Sequence, residues 1–197
     1  TEVFSYLKKN KPHMVIIAAA RVGGIFANSN FKSKFIYENL QIQNNLIHGS
    51  YLAGVKNLIF LGSSCIYPKM CKRPIKEKYL LTSSLEKTND AYAIAKISGL
   101  MMCDNYSQNY GLNYRCLMPT NLYGPNDNYH LQNSHFFPAL IRKVYEAKKF
   151  GKQVVLWGNG SPLREFTYSK DIAKILLFLL DNYDESSPVN IGMTGEI

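Results

Sequence analysis

Apolar positions along the chain fall into two alternating rhythms. Five runs are short, nearly continuous and rich in β-branched or aromatic residues: 14–20, 57–64, 114–120, 153–157 and 188–192. Unbroken apolar runs of this length, above all in the first three, are what strands covered on both faces present. Between them the spacing changes. Ile36, Leu40, Ile47 and Tyr51 recur near every 3.6 residues and predict a helix over 35–53 with Gly54 as its stop. A second helix is predicted over 90–109, with Asn89 as candidate N-cap and Gly111 beyond its end. Residues 134–148 and 169–182 predict two more. Strand, helix, strand, helix, strand is the rhythm of an α/β protein with a parallel sheet and right-handed crossovers. No internal repeat or low-complexity segment interrupts it.

Two strand-to-helix connections, 65–88 and 121–133, are far longer than the roughly 2–6 residues usual in such units. Both leave the carboxyl end of a predicted strand, the side of an open α/β sheet where ligands bind. Together they are expected to rim one site.

Composition narrows the class. The 197 residues are 46% apolar, enough for a buried core and incompatible with wholesale disorder. Twenty-three Lys and Arg against fourteen Asp and Glu leave a net charge of +9. That balance permits attraction to nucleic acid, an anionic membrane or phosphorylated ligands, and chooses none of them. The basic residues occur singly or in pairs (Lys8-Lys9, Lys72-Arg73, Lys148-Lys149), so no basic tail is present. The four cysteines form no CxxC pair and share no zinc-type spacing with histidine, so no metal is expected. Free thiols fit a reducing, cytoplasmic setting. No apolar stretch reaches 18 residues, so no membrane partner is expected. The chain opens without Met and stops just past a strand-like segment, so it reads as a fragment.

Candidate chemistry gathers at the first long connection. The run Leu58-Ile59-Phe60-Leu61 ends in "GSSCIYPK", which puts the hydroxyls of Ser63 and Ser64 and the thiol of Cys65 at a strand end. Tyr92 and Lys96 lie four apart on one face of the next predicted helix. A Tyr-x3-Lys pair is common on helix surfaces and means little alone. Here, serine-bearing strand end and helix start can meet at one cleft. An ammonium beside a phenol favours the phenolate and is expected to lower its pKa from about 10, suiting Tyr92 to proton exchange with a substrate oxygen.

Ser…Tyr-x3-Lys in this topology resembles the extended, nucleotide-sugar type of the short-chain dehydrogenase/reductase superfamily. "AAARVGGIFANSN" (18–30), "LGSSCIYPK" (61–69), "NDAYAIAKISG" (89–99), "MPTNLYGPNDNYH" (118–130), "NSHFFPALIRK" (133–143) and "VVLWGNGSPLREF" (154–166) together resemble the GDP-L-fucose synthase family over nearly the whole chain. The resemblance implies a Rossmann-like doubly wound parallel sheet lacking its N-terminal βαβ unit. A partial NADP-binding domain would cover 1–130, and a partial nucleotide-sugar-binding region, the start of a smaller C-terminal substrate domain, would cover 131–197. It implies NADPH-dependent 3,5-epimerisation and 4-reduction of GDP-4-keto-6-deoxy-D-mannose to GDP-L-fucose. Ser63, Tyr92 and Lys96 match the carbonyl-handling positions. Cys65 and His135 match the pair that takes a proton from carbon and returns one on the other face. A free thiol near pKa 8.5 needs nearby positive charge for this role, whereas an imidazole near 6.5 is suited to acid duty. Leu61, Gly62, Ser63, Ser64, Lys96, Pro119, Thr120, Asn121, Leu122 and His135 fall in the cofactor-contacting stretches. Lys143, Trp157 and Arg164 match substrate-binding positions; at 143 an Arg is expected, and a Lys keeps the charge but loses the bidentate grip on phosphate. The family's homodimer, through helices like 35–53 and 90–109, is implied as well.

The dinucleotide fingerprint is missing. Gly23-Gly24 and Gly158-x-Gly160 do not form GxGxxG, so the pyrophosphate-holding turn is not in these residues. The 197 residues alone are expected to be inactive and poorly stable. Two other readings stay open on the residues. One is another nucleotide-sugar epimerase or dehydratase of the superfamily; Cys65-Ile66 stands where dehydratases carry an Asp-Glu pair. The other is a non-catalytic basic protein binding RNA or a partner.

Overall fold

The computed structural model describes residues 1–192 apart from Trp157, Pro162, Asp184 and Ser186. In chain order the elements are α1 (Glu2–Asn10), β1 (Met14–Ile17), α2 (Ile25–Asn30), α3 (Lys32–Leu52), β2 (Asn57–Leu61), α4 (Asp90–Tyr110), β3 (Asn113–Pro119), β4 (Asn121–Tyr123), α5 (Phe136–Phe150), β5 (Phe166–Tyr168), α6 (Ser169–Asn182) and β6 (Val189–Ile191), with short 3-10 turns at Ser64–Ile66 and Glu77–Tyr79. Four strands pair in parallel in the order β1-β2-β3-β6. Ile17 sits beside Phe60, Phe60 beside Cys116, and Leu117 beside Val189. β4 and β5 form a separate parallel pair.

Successive side chains of a strand point to opposite faces, and both faces of this sheet are covered. Leu58, Phe60, Tyr114, Cys116 and Met118 pack with Ile47 of α3 and Ile97, Leu100 and Cys103 of α4. Ile59, Leu61 and Leu117 pack with Ile172 and Leu176 of α6. Two-sided burial is why 57–61 and 114–119 read as unbroken apolar runs; each large side chain removed from water contributes about 1.5–3 kcal/mol. Arg115 is the exception, pointing among apolar neighbours yet buried. Its guanidinium donates to Asn113 Oδ1 (2.6 Å) and to the Leu179 carbonyl (2.9 Å), so it caps the C-terminal end of α6.

A close contact lies where α4 crosses the sheet. A Cβ on Gly99 would stand 2.5 Å from Phe60 Cζ and 2.9 Å from Gln43 Oε1. Gln43 is buried in α3 and donates to the Ala95 carbonyl of α4 (2.6 Å), so neither neighbour has room to retreat. Gly99→Ala gains about 1 kcal/mol of helix propensity. It forces an overpacking cost of about 1–3 kcal/mol. Urea unfolding is expected to show a net loss of stability; a stabilised variant would contradict this packing.

Several expectations are corrected. The run 153–157 is no strand over the described residues: Val154, Val155 and Leu156 are exposed and have no neighbouring strand to complete a ladder. Trp157 lies outside the described residues. α1 and α2 were not expected, although Thr1 accepts from Phe4 N as an N-cap and Lys8-Lys9 occupy the last turn of α1. Helix 35–53 starts at Lys32, and helix 134–148 runs Phe136–Phe150. Asn89 holds the N-cap position of α4 without a side-chain bond; the Asp90 carboxylate takes the Ala91 N–H instead. The buried stripe of α3 is Phe35, Asn39, Gln43 and Ile47, half of it polar. Among the described residues no helix is long and apolar enough to cross a membrane.

Candidate active site

β2 ends against β3 at a close approach. Gly62 N–H donates to the Leu117 carbonyl (2.8 Å), and a Cβ on Gly62 would stand 2.9 Å from Met118 Sδ. Past it the chain turns sharply: Ser63 is the N-cap of the Ser64–Ile66 turn, its hydroxyl accepting from Cys65 N at 3.4 Å. The same hydroxyl is near enough to the Cys65 thiol and the Tyr92 phenol to favour the charged form of each. One turn along α4, Lys96 is almost fully buried, donates from Nζ to the Leu61 carbonyl (2.7 Å), and stands 4.6 Å from the Phe60 ring centroid and 5.9 Å from that of Tyr92. Ser63, Cys65, Tyr92 and Lys96 therefore form one cluster at the carboxyl end of β2.

Its electrostatics differ from the expectation for Tyr92. Burial raises the phenol well above its ordinary value, the nearby Cys65 raises it further, and only the Ser63 hydrogen bond opposes. Lys96 does not lower it, because its ammonium is directed at the Leu61 carbonyl and is itself pulled down to about 8 by burial. The Cys65 thiol is pushed up to about 11, burial outweighing the Ser63 hydrogen bond and the Lys96 charge. In the absence of ligands, then, both acids of the cluster hold their protons near neutral pH.

His135 occupies the exposed N-cap position of α5. The protein packed beneath its imidazole lowers the pKa, and Asp127 works against that shift. The preceding peptide bonds tie it to the cluster's rim. Asn133 O and Phe35 Cζ lie 3.3 and 3.2 Å from the point where a Cβ on Gly23 would stand, and Phe35 packs edge-on against Tyr92 with centroids 6.4 Å apart. Gly23 and Phe35 thus lie between the end of the 121–133 connection and Tyr92.

Pro119 closes β3. Thr120 turns inward, its N–H donating to Ile191 O (3.3 Å) and its hydroxyl bonded to Thr167 (2.8 Å). The Asn121 amide donates to Glu165 O (3.0 Å), and Leu122 packs against the α6 side of the core. Lys143 donates to Val155 O (2.8 Å) and lines, with Glu146, Lys152 and Gln153, a groove of about 290 Å³ along α5. Arg164 is exposed and donates to Leu163 O (2.9 Å). Lys143 and Arg164 stand outside the Ser63–Lys96 cluster.

The sequence did not announce the latch that holds the first long connection. Tyr67 Oη donates to Asn190 Oδ1 (2.6 Å), and Asn190 in turn donates from its backbone to Glu77 (2.9 Å) and from its amide to Ile75 O (3.1 Å). These partners are more than a hundred residues apart, and no local periodicity marks them. Among the described residues no group of His, Cys, Asp or Glu could hold a metal ion.

Over residues 1–192 the chain matches the NAD dependent epimerase/dehydratase family. It belongs to that family. Among its relatives, a GDP-L-fucose synthase of Sinorhizobium fredii is 53% identical over 197 residues, covering all of this chain and 63% of the relative. GDP-L-fucose synthase 1 of Arabidopsis thaliana is 54% identical over the same length, covering 61% of that protein. This member of the epimerase/dehydratase family thus spans about three fifths of the length of the curated relatives it matches. Among solved structures, a GDP-L-fucose synthetase from Naegleria fowleri bound to NADP superimposes with a TM-score of 0.88 at 36% identity, over 97% of this chain and 63% of the other.

Proposed function

We propose that this chain carries the reaction centre of an NADPH-dependent enzyme that epimerises C3 and C5 of GDP-4-keto-6-deoxy-D-mannose and reduces its C4 ketone, giving GDP-L-fucose. The observation that carries the reading is the gathering of Ser63, Cys65 and Tyr92 at the carboxyl end of β2 with the buried Lys96 beside them. Epimerisation next to a ketone and reduction of that ketone share the carbonyl oxygen, so the group serving carbon and the group serving oxygen belong side by side. The relatives bearing the GDP-L-fucose synthase name lend support.

The donor set fits the nicotinamide end of NADPH. Lys96 has three donor positions, of which Leu61 takes one, and the others can reach ribose hydroxyls. Leu61–Ser64 and Pro119–Leu122 leave the carboxyl ends of adjacent parallel strands, where a dinucleotide binds in such sheets. Held there, NADPH supplies the hydride that reduces C4.

The chain's own residues handle protons. Ser63 donates to the keto oxygen. Cys65, through the thiolate that is its minor form at neutral pH, takes the proton from C3 or C5 and becomes the thiol, the charge passes to the keto oxygen, and His135 returns a proton from the other face. Tyr92, kept protonated by its buried setting, then gives its proton to the oxygen as C4 becomes an alcohol. Lys143, Trp157 and Arg164 grip the nucleoside diphosphate. Lys143 holds phosphate as a point charge, not as a fork.

The test uses the complete reading frame that encodes these residues, with GDP-4-keto-6-deoxy-D-mannose and NADPH in D₂O. The expected product carries deuterium at both C3 and C5, and NADPH absorbance falls in step with its formation. A reduced product without deuterium at either carbon would identify a plain ketoreductase and remove the epimerase half.

A further inference from the structure

Gly23-Gly24 is the glycine pair that matched no phosphate-binding fingerprint, and the structure gives it another use. Gly24 is the N-cap of α2 with φ −69° and ψ −177°, a conformation open to any residue. Backbone freedom therefore does not require glycine here; space does. A Cβ on Gly24 would stand 2.5 Å from the Ser134 carbonyl oxygen. One on Gly23 would meet Ala27 Cβ at 2.9 Å, Phe35 Cζ at 3.2 Å and Asn133 O at 3.3 Å. The 133–134 peptide lies directly on the glycine pair, and Gly24 N–H donates to Asn133 O at 3.2 Å.

Both sides of this contact are held from behind. On one side, the buried Asn28 amide donates to the Gly23 carbonyl (2.6 Å) and the Gly24 carbonyl (3.1 Å). On the other, the His130 ring nitrogen accepts from Gln132 N (3.2 Å) and Asn133 N (3.1 Å), Ser134 N donates to His130 O (3.1 Å), and Ser134 is itself buried. The next residue is His135.

We infer that Gly23-Gly24 is a positioning clasp: it seats the 133–134 peptide and thereby fixes where the His135 imidazole stands. This rests on the epimerase/reductase reading above and assigns the glycines a part in its proton-return half. The Gly24 side of the clasp acts through His135 and touches none of Ser63, Tyr92 and Lys96, since a Cβ there meets only Ser134. Its failure should therefore divide the two half-reactions instead of lowering both.

The experiment compares Gly24→Ala, His135→Asn and the double variant in the complete enzyme. It follows deuterium uptake at C3 and C5 separately from NADPH oxidation, with thermal unfolding and NADPH binding as controls. Gly24→Ala is expected to keep NADPH binding, lose tenfold or more in deuterium uptake, and add nothing further when combined with His135→Asn, because both changes remove the same interaction. Wild-type uptake in folded Gly24→Ala, or losses that multiply in the double variant, would overturn the clasp. If His135→Asn alone keeps full uptake, the fault lies with the epimerase reading. Should Gly24→Ala fail to fold, Gly23→Ala, whose Cβ contacts are looser, carries the comparison: lost uptake with NADPH oxidation kept supports the clasp, and wild-type uptake or an equal loss of both, which contact through Phe35 with Tyr92 would give, overturns it.

Discussion

Tyr92→Phe is expected to lower keto-sugar-dependent NADPH oxidation by about 10²–10⁴-fold, the usual worth of a positioned proton donor. Deuterium uptake at C3 and C5 should persist within several-fold. The variant keeps the aromatic ring, so the edge-on contact with Phe35 and the start of α4 survive. What disappears is the one hydroxyl able to deliver a proton to the ketone oxygen; Ser63 still hydrogen-bonds that oxygen and still supports charge there during epimerisation. Burial holds the Tyr92 phenol above its ordinary value, so it remains protonated across pH 6–9. Reduction should therefore show no loss from phenol ionisation in that range. Stopped-flow absorbance and NMR of the sugar read the two halves separately. Unchanged NADPH oxidation in the variant would remove Tyr92 from its role.

The second large effect concerns carbon. Cys65→Ser is expected to cut deuterium uptake by about 10²–10⁴-fold, while NADPH oxidation continues on the unepimerised ketone and the product sugar changes. An alcohol gives up its proton far less readily than a thiol, so the substitution keeps shape and loses the base. The pH dependence is the sharper readout. Burial disfavours the charged thiolate and sets the Cys65 pKa at about 11, with Lys96 and Ser63 pulling it downward. The base form is therefore gained as pH rises. Uptake by the parent enzyme should climb about tenfold per pH unit above neutrality, as a base titrating below its pKa does. Cys65→Ser should flatten that climb. A parent rate already level above pH 7 would place the base on His135, whose imidazole burial lowers and Asp127 opposes.

How much of this was legible beforehand differs from element to element. β2 and β3 announced themselves because helices cover both their faces, so nearly every position beyond the opening Asn is apolar, Arg115 excepted. α6 was read over its full span because Ile172 and Leu176 face the sheet at helical spacing. α3 was found by its length and periodicity, yet of Ile36, Leu40, Ile47 and Tyr51 only Ile47 belongs to its buried stripe. Asn39 and Gln43 enter the core because tertiary partners satisfy them: Asn39 bonds Arg21 N, Arg21 O and Phe35 O, and Gln43 bonds Ala95 O. Hydrophobic periodicity does not see a satisfied amide. The run 153–157 failed in the opposite way, as an apolar stretch with no ladder to join.

The candidate site divides similarly. Ser63, Cys65, Tyr92 and Lys96 were visible as residue types at a strand end and on one helical face, and the family resemblance supplied their roles. Their proton states were not visible, because Tyr92 and Cys65 are governed by the depth at which they sit more than by the lysine written four residues away.

The amino-acid order by itself determined the parallel α/β layering, since the alternation of unbroken and 3.6-spaced apolar runs admits few other ways to bury them. It also determined which residues are chemically able to act. Only the folded arrangement decided that α3 buries amides, that Lys96 spends a proton on the Leu61 carbonyl, and that a glycine pair near the start of the chain holds the peptide leading into His135. Those outcomes depend on distances between segments remote in sequence, and a local pattern carries no record of them.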